Sequence, residues 1–313
     1  AADGLVAREG GAALGGLLER PDEPPAIAAP AQSADLGATD AQLAVRPTAG
    51  DGVATGGWLS VFGEGLRVSP DNGGDFEQDN FGLQAGHDVF GWRGVFGSDD
   101  RMILGLQGTI AQGQQNFAGS DSESTISLYG GGAYAAYSSG GLRIDLATQL
   151  LTGGFDFSAP GANLDQDLDL TTLGVGLGVS HRWDLGRLFV RPGLELRYVH
   201  SWMEDFEDDN QVDIGLDDGD SLIARSQLRA GVSFENVAPY LSVGVVHEFL
   251  GETGATASGL AFDTSTGGTT FEVGGGLAAW ALASNLTLTL DGTYRFGEEV
   301  QGLSVTGGLK LSW

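Results

Sequence analysis

The chain has 313 residues, a formal net charge of −27, 53 glycines and no cysteine. That balance leaves no basic footprint to meet phosphates and excludes a nucleic-acid partner; the missing cysteine excludes disulfide scaffolds, thiol nucleophiles and thiolate metal sites. No run of about 18 apolar residues marks a transmembrane helix and no basic-then-apolar leader opens the chain, so the sequence reads as a mature or trimmed product.

Residues 1–56 read as a linker and residues 57–313 as a separate domain. Ala1 to Gly52 is rich in Ala, Gly and Pro and has no aromatic residue. Asp3 to Glu19 fits a helix carrying Leu5, Leu14, Leu17 and Leu18, weakened by Gly10, Gly11, Gly15 and Gly16. The prolines between Arg20 and Pro30 make that stretch extended. Ser33 to Arg46 fits a second short helix, with Ser33 or Asp35 as N-cap and Pro47 beyond its end.

From Gly57 the pattern changes to period two. Twelve strands are expected, beginning near Gly57, Asn80, Arg101, Thr125, Leu142, Leu170, Leu188, Ser221, Ala238, Thr270, Asn285 and Gln301. Many reach about ten residues, the length a tilted strand needs to cross a bilayer. In the last, Leu303, Val305, Gly307, Leu309, Leu311 and Trp313 oppose Ser304, Thr306, Gly308, Lys310 and Ser312. Short connections at 138–141, 184–187, 235–237 and 283–285 alternate with long polar ones expected at 69–79, 112–124, 153–169, 201–220 and 251–269. The connection near Gly91–Asp100 is longer than its short counterparts. Short turns on one side and long loops on the other are the membrane-barrel pattern, and an even strand count puts both barrel ends on the periplasmic side. Aromatics near strand ends (Trp58, Phe90, Trp92, Tyr137, Trp183, Tyr198, Trp280, Tyr294, Trp313) fit interface girdles. The alternative is a soluble sandwich or lipocalin-like barrel with its apolar residues turned inward.

The fold class is therefore all-β, a twelve-stranded antiparallel transmembrane β-barrel, with the N-terminal segment as a possible plug of the lumen. On the polar faces Arg143, Arg191, Arg197, Arg225, Arg229 and Arg295, with Asp145, Glu195, Glu272 and Asp291, fit lumenal ion pairs that hold a plug or water, or set ion selectivity in a channel. In the first strand the inward pair is left open between Phe62 with Glu64 and Val61 with Gly63.

The residues also carry a family resemblance. Gly57-Trp-Leu-Ser-Val-Phe-Gly-Glu-Gly opens the first strand, Phe81-Gly-Leu-Gln-Ala-Gly-His-Asp lies in the second, and Leu128-Tyr-Gly-Gly-Gly-Ala-Tyr-Ala-Ala-Tyr in the fourth. With twelve strands and a terminal aromatic, residues 57–313 resemble the autotransporter β-domain, the translocator of type V secretion. The resemblance implies a bacterial outer-membrane barrel that mediates surface delivery and anchoring of an N-terminal passenger, inserted with the barrel-assembly machinery among outer-membrane lipids and lipopolysaccharide. It also implies a helix inside the lumen before strand one. Ser33–Arg46 is the best-placed candidate, with Asp35, Asp40 and Arg46 meeting Arg225, Arg229 and Glu195. Some members release their passenger by asparagine cyclisation in that helix; no asparagine precedes Asn72, so this linker lacks that chemistry. The final strand, with Leu309, Leu311 and Trp313, fits an assembly signal recognised by strand addition. The rival reading is a simple porin, structural barrel or adhesin with a periplasmic N-terminal extension.

No catalytic residue, cofactor or metal is expected. His87, His181 and His247 share the apolar faces, and His200 and its neighbour Ser201 point to opposite faces, so they form no dyad. Asp71–Asp75, Asp165–Asp169 and Asp217–Asp220 offer hard oxygens for calcium without following its twelve-residue loop pattern. Solvated loops beside anionic lipopolysaccharide, bridged by divalent ions, explain them as well.

Overall fold

The computed structural model describes residues 55–69, 75–98, 100–118, 122–159, 164–203, 206–207, 213–216, 218–250, 252–257, 260–265, 268–283, 285–298 and 300–313. Residues 1–54, with both expected helices, and Asp71 and Asp217 lie outside them.

In chain order the strands are β1 (Gly56–Val68), β2 (Phe76–Arg93), β3 (Arg101–Phe117), β4 (Glu123–Ser139), β5 (Leu142–Ala159), β6 (Leu164–His181), β7 (Trp183–Leu185), β8 (Leu188–Met203) and β9 (Phe206–Glu207). They continue with β10 (Asp213–Leu216), β11 (Gly219–Val232), β12 (Val237–Glu248), β13 (Glu252–Ala257), β14 (Leu260–Ser265), β15 (Gly268–Ala283), β16 (Leu286–Gly297) and β17 (Val300–Ser312). Twelve of them form one closed antiparallel wall: β1 to β6, β8, β11, β12 and β15 to β17. β7 folds back on β8, and β9, β10, β13 and β14 make a separate four-stranded sheet. Closure is made by β1 on β17, continuous from Gly56↔Ser312 to Val68↔Val300. Both strand ends of the wall thus sit on one rim, the short-turn rim, which is periplasmic in this architecture. Turns there use glycine where the chain reverses tightly: Gly140 and Gly141 have φ of 55° and 75°, and Gly186 has 72°.

Alternation sorts the residues. Phe81, Leu83, Leu106, Ile110, Leu150, Leu194, Leu241, Val243, Phe271 and Leu303 face outward and are exposed. A water-soluble protein does not expose so continuous an apolar band; lipid accounts for it. The inner face carries Gln84, Gln107, Thr109, Gln149 and Thr172, all buried, and the charged residues, of which Arg143, Arg197, Arg225, Glu272 and Asp291 are buried and Asp145, Arg191, Glu195, Arg229 and Arg295 half-buried.

The strands run further than the sequence suggests. β5 continues to Ala159 and β6 starts at Leu164, so most of the loop expected at 153–169 is hairpin; β3 likewise continues to Phe117. The reason is a reversal of the faces. Near the outer rim Leu66, Val68, Phe76, Ile126, Leu128, Leu151, Phe155, Leu168, Leu170 and Val300 form an apolar cluster on the inner face. The outer face there is polar, with Glu77, Asp79, Glu123, Asp156, Asp167 and Asp169 exposed. Above the lipid the outside of the wall meets water, and the period of two persists with its faces exchanged. β1 is settled in the same way: Trp58, Phe62, Glu64 and Leu66 face inward, Leu59 and Val61 outward. Trp58 is therefore no girdle residue, in contrast to the sequence expectation: its ring lies inside the barrel on Gly86, directly opposite in register.

Candidate functional site: the charged lumen

The inner wall between β8 and β1 holds an oblique row of alternating charge. Arg197 Nη2 donates to Glu195 Oε2 at 3.0 Å, and Arg225 Nη1 lies 3.7 Å from the same oxygen. Arg225 Nε donates to Glu272 Oε2 at 2.7 Å, and Arg295 donates to Glu272 Oε1 from Nε at 3.0 Å and Nη2 at 2.9 Å. Arg295 Nη1 then lies 3.5 Å from Glu64 Oε1, across the closing seam. Register explains the row. Arg225 stands opposite Glu195, and Glu272 opposite Arg295. The intervening strands offer Gly244 on β12 and Gly302 on β17, which have no side chain to block the reach. Charges inside a wall must be paired or hydrated, and three arginines with three glutamates meet that demand along one line.

The remaining sites lie on the same face. Arg143 grips Asp145 with two bonds, Nε at 2.6 Å and Nη2 at 2.5 Å. Arg191 donates to Ser180 Oγ from Nε at 3.2 Å and Nη2 at 3.1 Å, and stands directly opposite Arg229. Arg229 lies over the Tyr240 ring, 5.1 Å from its centroid. Asp291 accepts from Tyr240 and from Thr293 Oγ1. Arg143, Asp145, Arg191, Glu195, Arg225 and Arg229 share one lumenal cavity. Four arginines against two carboxylates leave this stretch of the inner wall with an excess of positive charge. Leu309, Leu311 and Trp313 lie on the outer face.

Sequence reasoning missed Asp88, Tyr134 and Lys310 as a unit. Lys310 Nζ lies 3.9 Å from Asp88 Oδ2; Asp88 Oδ1 accepts from Tyr134 Oη at 2.5 Å, which accepts from Trp58 Nε1 at 3.2 Å. Alternation alone puts Asp88 inward with Gln84 and Gly86. The irregularity between Asp88 and Phe90 hides this, because beyond it Phe90 and Trp92 turn outward.

The histidines sit on the outer face beside aromatic rings: His87 on Trp313, His181 on Trp183, His200 on Trp202 and His247 on Phe249. His200 Nδ1 lies 2.9 Å from Asp220 Oδ1, which also accepts from Tyr198 Oη at 2.6 Å. Ser201 points inward, 3.2 Å from Thr172 Oγ1. Among the described residues no group of three or more His, Asp or Glu side chains is arranged to hold a metal ion.

An apolar band outside, ion pairs inside and complete closure define a transmembrane β-barrel of the bacterial outer membrane. The model of the autotransporter beta-domain family matches residues 57–293, and the chain belongs to that family. Among curated proteins it is similar to the pertactin autotransporter of Bordetella parapertussis, 26% identical over 283 residues, and to that of Bordetella bronchiseptica, 25% identical. Both alignments cover 87% of this chain but 30% of the relative, so the chain spans under a third of the proteins it matches. Solved structures agree on the fold. The beta domain of the Bordetella autotransporter BrkA superposes with a TM-score of 0.69 at 21% identity, covering 83% of this chain and 100% of that one. The transport unit of AIDA-I from Escherichia coli gives 0.70 at 16%, covering 90% and 97%.

Proposed function

We propose that the barrel delivers an N-terminal passenger to the cell surface and anchors it there, acting as a conduit and not as a catalyst. The observation that supports this most is the cavity where Arg191 faces Arg229 beside Arg143 and Arg225. The segment leading into β1 is acidic: residues 1–54 contain Asp3, Glu9, Glu19, Asp22, Glu23, Asp35, Asp40 and Asp51 against Arg8, Arg20 and Arg46. An acidic chain in an arginine-lined lumen is attracted along its length, and water between the two softens each contact. Asp35 and Asp40 are the residues proposed to meet Arg225 and Arg229, with Arg46 near Glu195.

The terminal strand, with its alternating face and Trp313, is proposed to be read by the barrel-assembly machinery through strand addition. The outer face is proposed to meet phospholipid on the periplasmic side and lipopolysaccharide on the other.

The test is an epitope tag placed ahead of Ala1, behind a secretion leader, with protease added to intact cells. Loss of the tag from intact cells is the expected result. A tag cut only after the outer membrane is opened refutes delivery and favours the porin reading.

A further inference from the structure

The closing seam has a fastening beyond its backbone hydrogen bonds. β1 begins with Gly56 and Gly57, paired with Ser312 and Leu311 of β17 on one side; Gly57 is also paired with His87 of β2 on the other. With no side chains there, residues of β17 reach over β1 to β2 on both faces. Outside, the Trp313 indole stacks on the His87 ring, centroids 5.5 Å apart and planes 22° apart. A Cβ on Gly57 would stand 3.3 Å from the indole Cη2. Inside, Lys310 Nζ reaches to 3.9 Å from Asp88 Oδ2, and a Cβ on Gly56 would stand 3.1 Å from Lys310 Cε. The two receiving residues are consecutive in β2 and therefore point to opposite faces. Trp313 N also donates to Thr55 O at 3.0 Å, which fixes where the last residue turns.

We propose that Trp313 and Lys310, both of β17 or its immediate end, form a two-faced clasp on His87 and Asp88 that locks the barrel closed. A β1–β17 edge held by hydrogen bonds alone frays from its end, as strand termini do. The clasp ties that end to a third strand, so opening the seam must also detach β17 from β2. The terminal residues thus have a role in the finished barrel that is separate from any recognition during insertion. The carboxylate that meets Lys310 is itself oriented by Tyr134 Oη, which ties the clasp to β4.

The experiment places the changes in β2, leaving the last strand intact. The whole chain is refolded in detergent micelles as wild type and as the His87→Ala, Asp88→Asn double variant, and amide exchange is followed. Exchange at Gly57–Ser60 and Leu309–Ser312 is expected to rise roughly tenfold or more, with the β4–β5 amides unchanged. Unchanged seam exchange, or an equal rise in β4–β5, overturns the clasp. If the double variant does not refold, His87→Ala and His87→Phe are compared singly: alanine loosens the seam and phenylalanine, which keeps a ring against Trp313, does not. Equal seam exchange in those two also overturns it.

Discussion

Arg225 Nε donates to Glu272 Oε2 at 2.7 Å although the two residues belong to strands that are not neighbours. Between them stands Gly244 of β12, where a Cβ would lie 3.4 Å from Glu272 Oε2 and 3.0 Å from Ser226 O. The missing side chain is what lets charge pair across a strand, and the row from Arg197 to Glu64 depends on it.

Glu272 is almost wholly enclosed and serves two arginines. Glu272→Gln keeps its size and leaves both guanidinium groups short of a counter-charge, a loss of about 3 kcal/mol in unfolding free energy. Denaturant unfolding of the refolded barrel measures it. Arg67→Met removes an exposed pair with Glu77 and is expected not to move the midpoint.

Two glycines on the wall should respond differently. Gly244→Val fills the gap and crowds Glu272, for a cost of about 2 kcal/mol. At Gly307 a Cβ meets nothing within 4 Å, so Gly307→Ala is expected to lie within about 0.5 kcal/mol of wild type. The same unfolding titration compares them.

Asp100 closes the β2–β3 turn. Enclosure works against its charge, but the N–H groups of Phe96, Val95 and Gly97 donate to its oxygens at 2.7, 2.7 and 2.8 Å, and Tyr137 Oη at 3.3 Å. Together they hold its pKa below the usual carboxylate value. A lowered folded pKa gives stability that is present above the unfolded value of about 3.9 and lost as pH falls through the folded one. Amide protection at Val95–Gly97 should therefore be flat from neutral pH to about 5 and fall in stronger acid, where Asp100→Asn should show the weaker, pH-independent turn throughout.

If the acidic leading segment occupies the lumen, deleting the residues before Gly52 should raise single-channel conductance in planar bilayers. Equal conductance with and without it contradicts occupancy.

Much of the wall was legible because lipid outside and polar groups inside impose a strict period of two. The start of β5 at Leu142 and of β8 at Leu188 follow from that pattern, and so does the inward face of Arg143, Arg197 and Arg225. The pattern misled where the environment changed. Phe155 and Leu168 turn inward because the wall has risen out of the lipid, so a lipid-facing pattern ends there while the strand does not. The contacts among site residues were hidden for another reason. Glu272 reaching Arg225, and Trp313 reaching His87, each require the register of three strands and a glycine in the middle one, and one strand's alternation carries no register.

The most direct test of the central claim, that a polypeptide passes through this lumen, uses a passenger stalled by an engineered disulfide loop and a photoreactive residue in the wall. Placed at Ser180 or Gln227, on the inner face, it should cross-link the stalled passenger; at Val179 or Leu228, on the outer face, it should not. Cross-links from the outer positions, or none from the inner ones while the passenger is stalled, would contradict passage through the barrel.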